Sequence, residues 1–135
     1  MQAMAKKKIS WELYSYGEYS SWDRGSKKLP KLLKITNRIQ ILPDVEFGYV
    51  VKIKGAKGKK VEYRIDHPPF KDAAGKIEPP FIGEYFINSN DYEFFLGDTV
   101  WEPYEDKAGE WLLSTFLDGK LIAEKLIVLY LDPSS

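Results

Sequence analysis

The sequence predicts an all-β domain, an antiparallel β-sandwich of about seven or eight strands, with a partly open barrel as the runner-up. Three observations carry that expectation. Apolar and polar residues alternate with a period of two over most of the chain. No long stretch repeats with the 3.6-residue period of a helix. Clusters of Gly, Pro, Asn, Asp and Lys separate the alternating runs at short intervals.

Taken in chain order, "ISWELYSY" (9–16) reads as the first strand. In "KLLKITNRIQIL" (31–42) Leu33, Ile35, Ile39 and Ile41 are apolar at odd positions. Lys34, Thr36, Arg38 and Gln40 are polar at even ones, which predicts one strand with one wet face. "EFGYVVKIK" (46–54) sets Phe47, Tyr49, Val51 and Ile53 against Glu46, Lys52 and Lys54. "KVEYRID" (60–66) sets Val61, Tyr63 and Ile65 against Lys60, Glu62, Arg64 and Asp66. "GEYFINS" (83–89) and "YEFFL" (92–96) follow, and "EWLLSTFL" with "KLIAEKLIVLYL" closes the chain around Asp118-Gly119. Both residues of that pair tolerate positive φ, so a two-residue type I′ hairpin turn is expected. The last strand is apolar on both faces over Leu126–Leu131, which predicts cover on both sides by neighbouring elements or by a partner, with the covered core preferred. Trp111 alternates with Leu113 and Leu117 and is assigned to the core, as is Trp11. Residues 1–8 read as a flexible tail and 9–135 as one domain.

At 135 residues the chain is long enough to bury a core without staples. An apolar fraction of 44% and an aromatic fraction of 15% argue against wholesale disorder. With no cysteine, disulfides, thiol catalysis and thiolate-ligated metals are excluded. "MQAMAKKKISW" lacks the apolar h-region of a signal peptide, and Leu126–Leu131 is too short to span a bilayer. A soluble, cytoplasmic protein is the expectation.

Net charge is zero but lopsided. Residues 24–64 hold twelve Lys/Arg and three acids, a balance of +9; residues 65–135 hold five Lys and fourteen acids, a balance of −9. On the predicted strands Lys34, Arg38, Lys52, Lys54, Lys60 and Arg64 all point to the wet face, with "KGAKGKK" at its tip. Such a cationic surface suits capture of an acidic protein or self-association. A sequence pI of about 6.6 disfavours nucleic acid as the partner. The bland alternative is that basic and acidic strands offset one another's fields.

Candidates for chemistry are thin. His67, in "DHPPF", is the one histidine, so any His-based acid–base pair, serine triad or multi-histidine metal site would run through it; a turn residue is the simpler reading. Glu102, Glu105 and Asp106 are the densest carboxylates, as expected of a solvated loop. "NSNDYE" and "EPYEDKAGE" offer oxygen ligands without calcium-loop spacing. No phosphate or dinucleotide fingerprint is present. No catalytic residue, cofactor or metal is therefore assigned. The segment "YSYGEYSSWDRG" is more suggestive, because Tyr14, Tyr16, Tyr19 and Trp22 stand in a polar, Ser-rich stretch. Exposed rings there would anchor a protein interface or stack on sugars or on nucleic-acid bases. Rings covering one end of the sandwich are the competing expectation.

"KITNRIQILPDVEFGYVVKIKG" (34–55) and "VWEPYEDKAGEWLLSTFLDGKLIAEKLIVL" (100–129) together resemble a bacterial family, domain of unknown function DUF3859. The resemblance rests on Thr36, Ile39, Phe47, Gly48 and Gly55 in the first block. In the second it rests on Trp101, Glu102, Gly109, Trp111, Gly119 and Ala123, with Ile127 and Leu129 where Phe and Val are usual. It implies an immunoglobulin-like sandwich and supplies no catalytic residues.

The expected function is a non-enzymatic protein-interaction module. Lys34, Arg38, Lys52, Lys54 and Arg64, or Tyr16, Tyr19 and Trp22, are its candidate contacts. A carbohydrate-binding module using the exposed Trp and Tyr rings is the alternative, and no membrane role is expected.

Overall fold

A computed structural model describes residues 8–22 and 28–132. The expected tail over 1–8, apart from Lys8, lies outside them, as do Arg24 and Lys27 of the basic stretch. Among the described residues there are nine strands, and a single 3-10 turn at Glu105–Lys107 is the one helical element. The strands are β1 (Ser10–Tyr19), β2 (Leu32–Lys34), β3 (Arg38–Gln40), β4 (Glu46–Lys54) and β5 (Lys60–Asp66). They continue with β6 (Phe81–Phe86), β7 (Asp91–Thr99), β8 (Gly109–Leu117) and β9 (Lys120–Tyr130). They form two sheets, β2-β1-β4-β7 and β3-β9-β8-β5-β6. All pairings are antiparallel except β3 with β9. The sandwich expected from the alternation is therefore the fold.

The inward faces are the ones that the period-two pattern marks. Phe47, Tyr49, Val51 and Ile53 of β4 are fully buried against Trp111, Leu113 and Ile127 of the opposite sheet. Phe47 meets Trp111 edge to face at 5.2 Å, and the indole Nε1 donates to the Lys107 carbonyl at 2.9 Å. The Tyr49 hydroxyl lies 2.6 Å from Thr115 Oγ1, pairing two polar atoms that the core would otherwise strand. Trp11 packs on the core half-buried, with Lys120 Nζ 4.9 Å from its ring centre. Asp118 (φ 49°) and Gly119 (φ 80°) make the expected I′ turn of the closing hairpin.

Two expectations are corrected. The run 31–42 is not one strand: β2 lies at the edge of one sheet and β3 at the edge of the other. The chain crosses between sheets at residues 35–37, so Leu33 and Ile35 are 62% and 67% exposed while Ile39 and Ile41 are buried. The alternation continues through the crossover, so it marks two short strands of different sheets. Cover of β9 is also one-sided. Ile127 and Leu129 are buried between the sheets, whereas Leu126 on the outer face is exposed.

Candidate functional site

The crossover divides the basic residues. Lys34, Lys52 and Lys54 belong to the four-stranded sheet, and Arg38, Lys60 and Arg64 to the five-stranded one. The single cationic face expected over these strands does not form. Most of these cations have local partners. Lys52 Nζ sits 3.6 Å from the Tyr14 ring centre and 3.7 Å from Glu93. Arg64 forks onto Asp66 at 2.9 Å, Lys60 reaches Glu84 at 3.6 Å, and Arg38 lies over Tyr130 at 5.2 Å. Lys34 and Lys54 are exposed on their own strands.

The aromatic segment is also dispersed. β1 bulges between Leu13 and Ser15, which turns Tyr14 outward and leaves Tyr16 facing inward. Tyr16 is half-buried, with Lys125 Nζ 3.8 Å from its ring centre. Tyr19 is 2% exposed, and it and Trp22 both meet Phe95 edge to face, at 4.9 and 5.0 Å. Trp22 Nε1 donates to the Lys28 carbonyl at 2.8 Å. Paired bonds between Ser20 and Lys31 close the stem of this loop. Tyr19, Phe95, Val50, Trp22 and Leu29 thus form a small second core on the outer face of the four-stranded sheet. Tyr16, Tyr19 and Trp22 do not share a platform.

His67 is a loop clip. Nδ1 lies 2.8 Å from the Pro68 carbonyl and Nε2 2.8 Å from the Pro79 carbonyl, and the ring stacks on Phe70 at 4.2 Å. Of the carboxylate trio, Asp106 is bound to Lys107 at 2.6 Å. That lysine is buried, donates to Pro103 O at 3.0 Å, and lies over Phe70 and Trp101 at 4.5 and 4.6 Å. Glu102 and Lys107 line a cavity of about 540 Å³ beside this cluster. Among the described residues no three His, Asp or Glu side chains converge as a metal site, and no helix is long and apolar enough to cross a membrane.

A second concave feature is a groove of about 540 Å³ along one open side of the sandwich. There β7, the edge of one sheet, runs beside β5 and β6, the edge of the other. Tyr63, Phe81, Tyr85, Tyr92, Phe94 and Trp22 line it, with Glu93 and Asp98 as its charged residues among those described. Tyr63 and Tyr85 are stacked 5.9 Å apart, and both rings approach Phe94, at 6.3 and 5.8 Å. Gly83 makes this possible, since a Cβ there would stand 2.5 Å from the Tyr63 hydroxyl. The Tyr63 ring therefore lies across the edge strand. Burial, then the Tyr85 hydroxyl and the Asp98 carboxylate, raises the Tyr63 hydroxyl above its ordinary value. Burial and Tyr85 raise Tyr92 in the same way.

Of the residues proposed from sequence, Trp22 alone lines this groove. Of the rest of its lining, Tyr85 and Tyr92–Leu96 lie in the stretches "GEYFINS" and "YEFFL", which the sequence marks only as strands. Tyr63 was assigned to the core face of β5, which is correct for the face and silent about its lying near an open edge.

The family described as domain of unknown function DUF3859 matches over residues 5–127. The chain belongs to that family. An immunoglobulin-like protein from Pseudomonas aeruginosa is similar in structure, with a TM-score of 0.75 and 18% identity. That match covers 93% of this DUF3859 chain and 99% of the other, and it establishes the fold. The alkylpurine DNA glycosylase AlkC of Pseudomonas fluorescens, bound to DNA containing an abasic-site analogue, gives a TM-score of 0.42 at 10% identity. It covers 70% of this chain and 27% of that one. DesR, a β-glucosidase of Streptomyces venezuelae in complex with D-glucose, gives 0.36 at 10% identity, covering 90% and 15%. Both likenesses are too distant to carry an argument. No curated protein matches the chain in sequence.

Proposed function

We propose that this DUF3859 domain is a non-enzymatic protein-interaction module that holds an extended peptide segment in the β6–β7 groove. The observation that supports this best is the position of β7. It is nine residues long, pairs with β4 on one side only, and opens along its other side into an aromatic-lined groove. In an antiparallel pair, alternate residues direct their N–H and C=O away from the partner, so an edge strand is a template for a further strand. Addition of a peptide strand gives affinity through these main-chain groups and selectivity through side-chain pockets. The rim fits the same reading. Ile82 and Phe86 on the outer side of β6 are 74% and 67% exposed, and Tyr85 is 52% exposed. Exposed apolar side chains gathered on one edge strand in this way suit an interaction surface.

Selection of a random-peptide display library on the immobilised domain tests the reading. Enriched peptides should shift the backbone amide resonances of β6 and β7, and Tyr85→Ala should weaken their binding by roughly tenfold or more, the size expected for truncating an aromatic anchor. Shifts confined to the outer faces around Lys54 or Arg64 would refute the groove and return the basic residues to consideration.

A further inference from the structure

We propose that the cavity between the β5–β6 connection and residues 101–107 binds a neutral sugar ring, packed against Phe81 and Trp101 and hydrogen-bonded to Glu78 and Glu102. This site is separate from the β6–β7 groove and does not depend on it. Two segments build its walls, and each is ordered by its own bonds. In the β5–β6 connection, Asp72 Oδ1 accepts the Ala74 and Lys76 N–H groups at 2.9 and 3.0 Å. The Glu78 N–H donates to the Phe70 carbonyl at 2.9 Å, and Lys71 bridges to Ile77. In the second segment, Lys107 is tied to Asp106 and to the Pro103 carbonyl, and it holds the Phe70 and Trp101 rings at 4.5 and 4.6 Å. Walls ordered before a ligand arrives lose less entropy when it binds. The volume of about 540 Å³ lies within the usual range for small-molecule sites.

The lining combines aromatic surface with polar atoms that nothing else uses. Phe81 and Trp101 are half-buried, 6.4 Å apart, and keep accessible surface. Trp111 Nε1 donates to the Lys107 carbonyl, but Trp101 Nε1 has no hydrogen-bond partner among the described residues. No buried side-chain nitrogen or oxygen of those residues lacks a partner, so the Trp101 N–H reaches solvent. The Glu78 and Glu102 carboxylates likewise accept no hydrogen bond and pair with no base.

These groups define what fits. An ionised carboxylate only accepts and an indole N–H only donates, so a ligand serving both needs groups that do either. Hydroxyls do. The ligand must also present an apolar face to the rings. A sugar ring carries both features, C–H faces and a rim of hydroxyls. Charge narrows the choice further. Asp72, Glu78 and Glu102 share the lining with Lys71 and Lys107, so an anion and a cation would each meet a like charge.

The test titrates the full chain with cellobiose, maltose, lactose and N,N′-diacetylchitobiose, with glucosamine and glucuronate as charged probes. NMR follows the indole Nε1–H signals of the four tryptophans. At least one neutral sugar should move the Trp101 signal saturably, with a Kd of roughly 1 mM or tighter. Trp101→Phe assigns that signal and should weaken binding roughly threefold to tenfold, the worth of one hydrogen bond. Glu78→Gln and Glu102→Gln keep the side-chain shape and remove the charge, and each should weaken binding roughly tenfold or more. Thermal unfolding of both glutamine variants should match the parent chain, which separates lost binding from lost folding. Unchanged affinity in both glutamine variants would overturn the proposal. So would saturation that moves Trp22 instead of Trp101, binding confined to glucosamine or glucuronate, or no saturable shift with any neutral sugar.

Discussion

Tyr49 shows how one side chain links core packing to pH. Its ring is fully buried, and its hydroxyl is paired with Thr115 in the middle of the sandwich. Burial raises its pKa well above 10.0, outweighing the lowering effect of the Thr115 bond. An unfolded tyrosine releases its proton near 10.0 while the folded one retains it. Stability is therefore complete below that pH and falls as pH rises through it, by about 1.4 kcal/mol per pH unit for each retained proton. Urea unfolding at increasing alkaline pH should show this slope, and Tyr49→Phe should flatten it. The same substitution should cost about 1–3 kcal/mol at neutral pH, because Thr115 Oγ1 loses its buried partner. Gly83 illustrates the opposite dependence, on space. Its meaning came from Tyr63 on the neighbouring strand, which lies where a Cβ would be.

Among the strands, legibility followed local pattern. β4 and β5 are readable because each keeps one register with β7 or with β6 and β8, and β8 and β9 because their one shift, at Thr115/Phe116, falls next to the closing turn; a period of two then marks the buried face. β2 and β3 were fused because both obey the same alternation, and nothing local distinguishes a strand that continues from one that changes sheet. The consequence reached the functional reading, since the supposed basic face depended on Lys34, Arg38, Lys52, Lys54 and Arg64 sharing a sheet. Lys52→Glu separates the two surfaces experimentally. It places a like charge beside Glu93 and removes the cation over Tyr14, at a half-buried position beside two exposed residues. Stability should change by about 1 kcal/mol or less, measured by thermal unfolding. Binding of library-selected peptides in the β6–β7 groove should persist, whereas a partner reading the basic residues would be lost.

At the scale of the molecule, the sandwich has a protected centre and an open side. β4, β5, β8, β9 and β1 each have neighbours on both sides, while β6 and β7 are edges facing one groove. Amide hydrogen exchange should therefore be slowest in β4 and β8 and fast along the open side of β7. Addition of a groove-binding peptide should protect β7 amides selectively; equal protection in β2 or β3 would point to general stabilisation instead. The sequence by itself determined the fold class, the inward faces of the long strands, the closing turn and the family, because each is encoded in residues close together in the chain. It also showed the poverty of catalytic groups, with one histidine and no cysteine. Only the tertiary structure decided which strands are edges, which rings cover a second core and which line a groove. Those properties depend on what lies on the far side of a strand. Tyr63 and Phe94 meet across two sheets that local alternation describes separately, and nothing in either strand specifies the other as its neighbour.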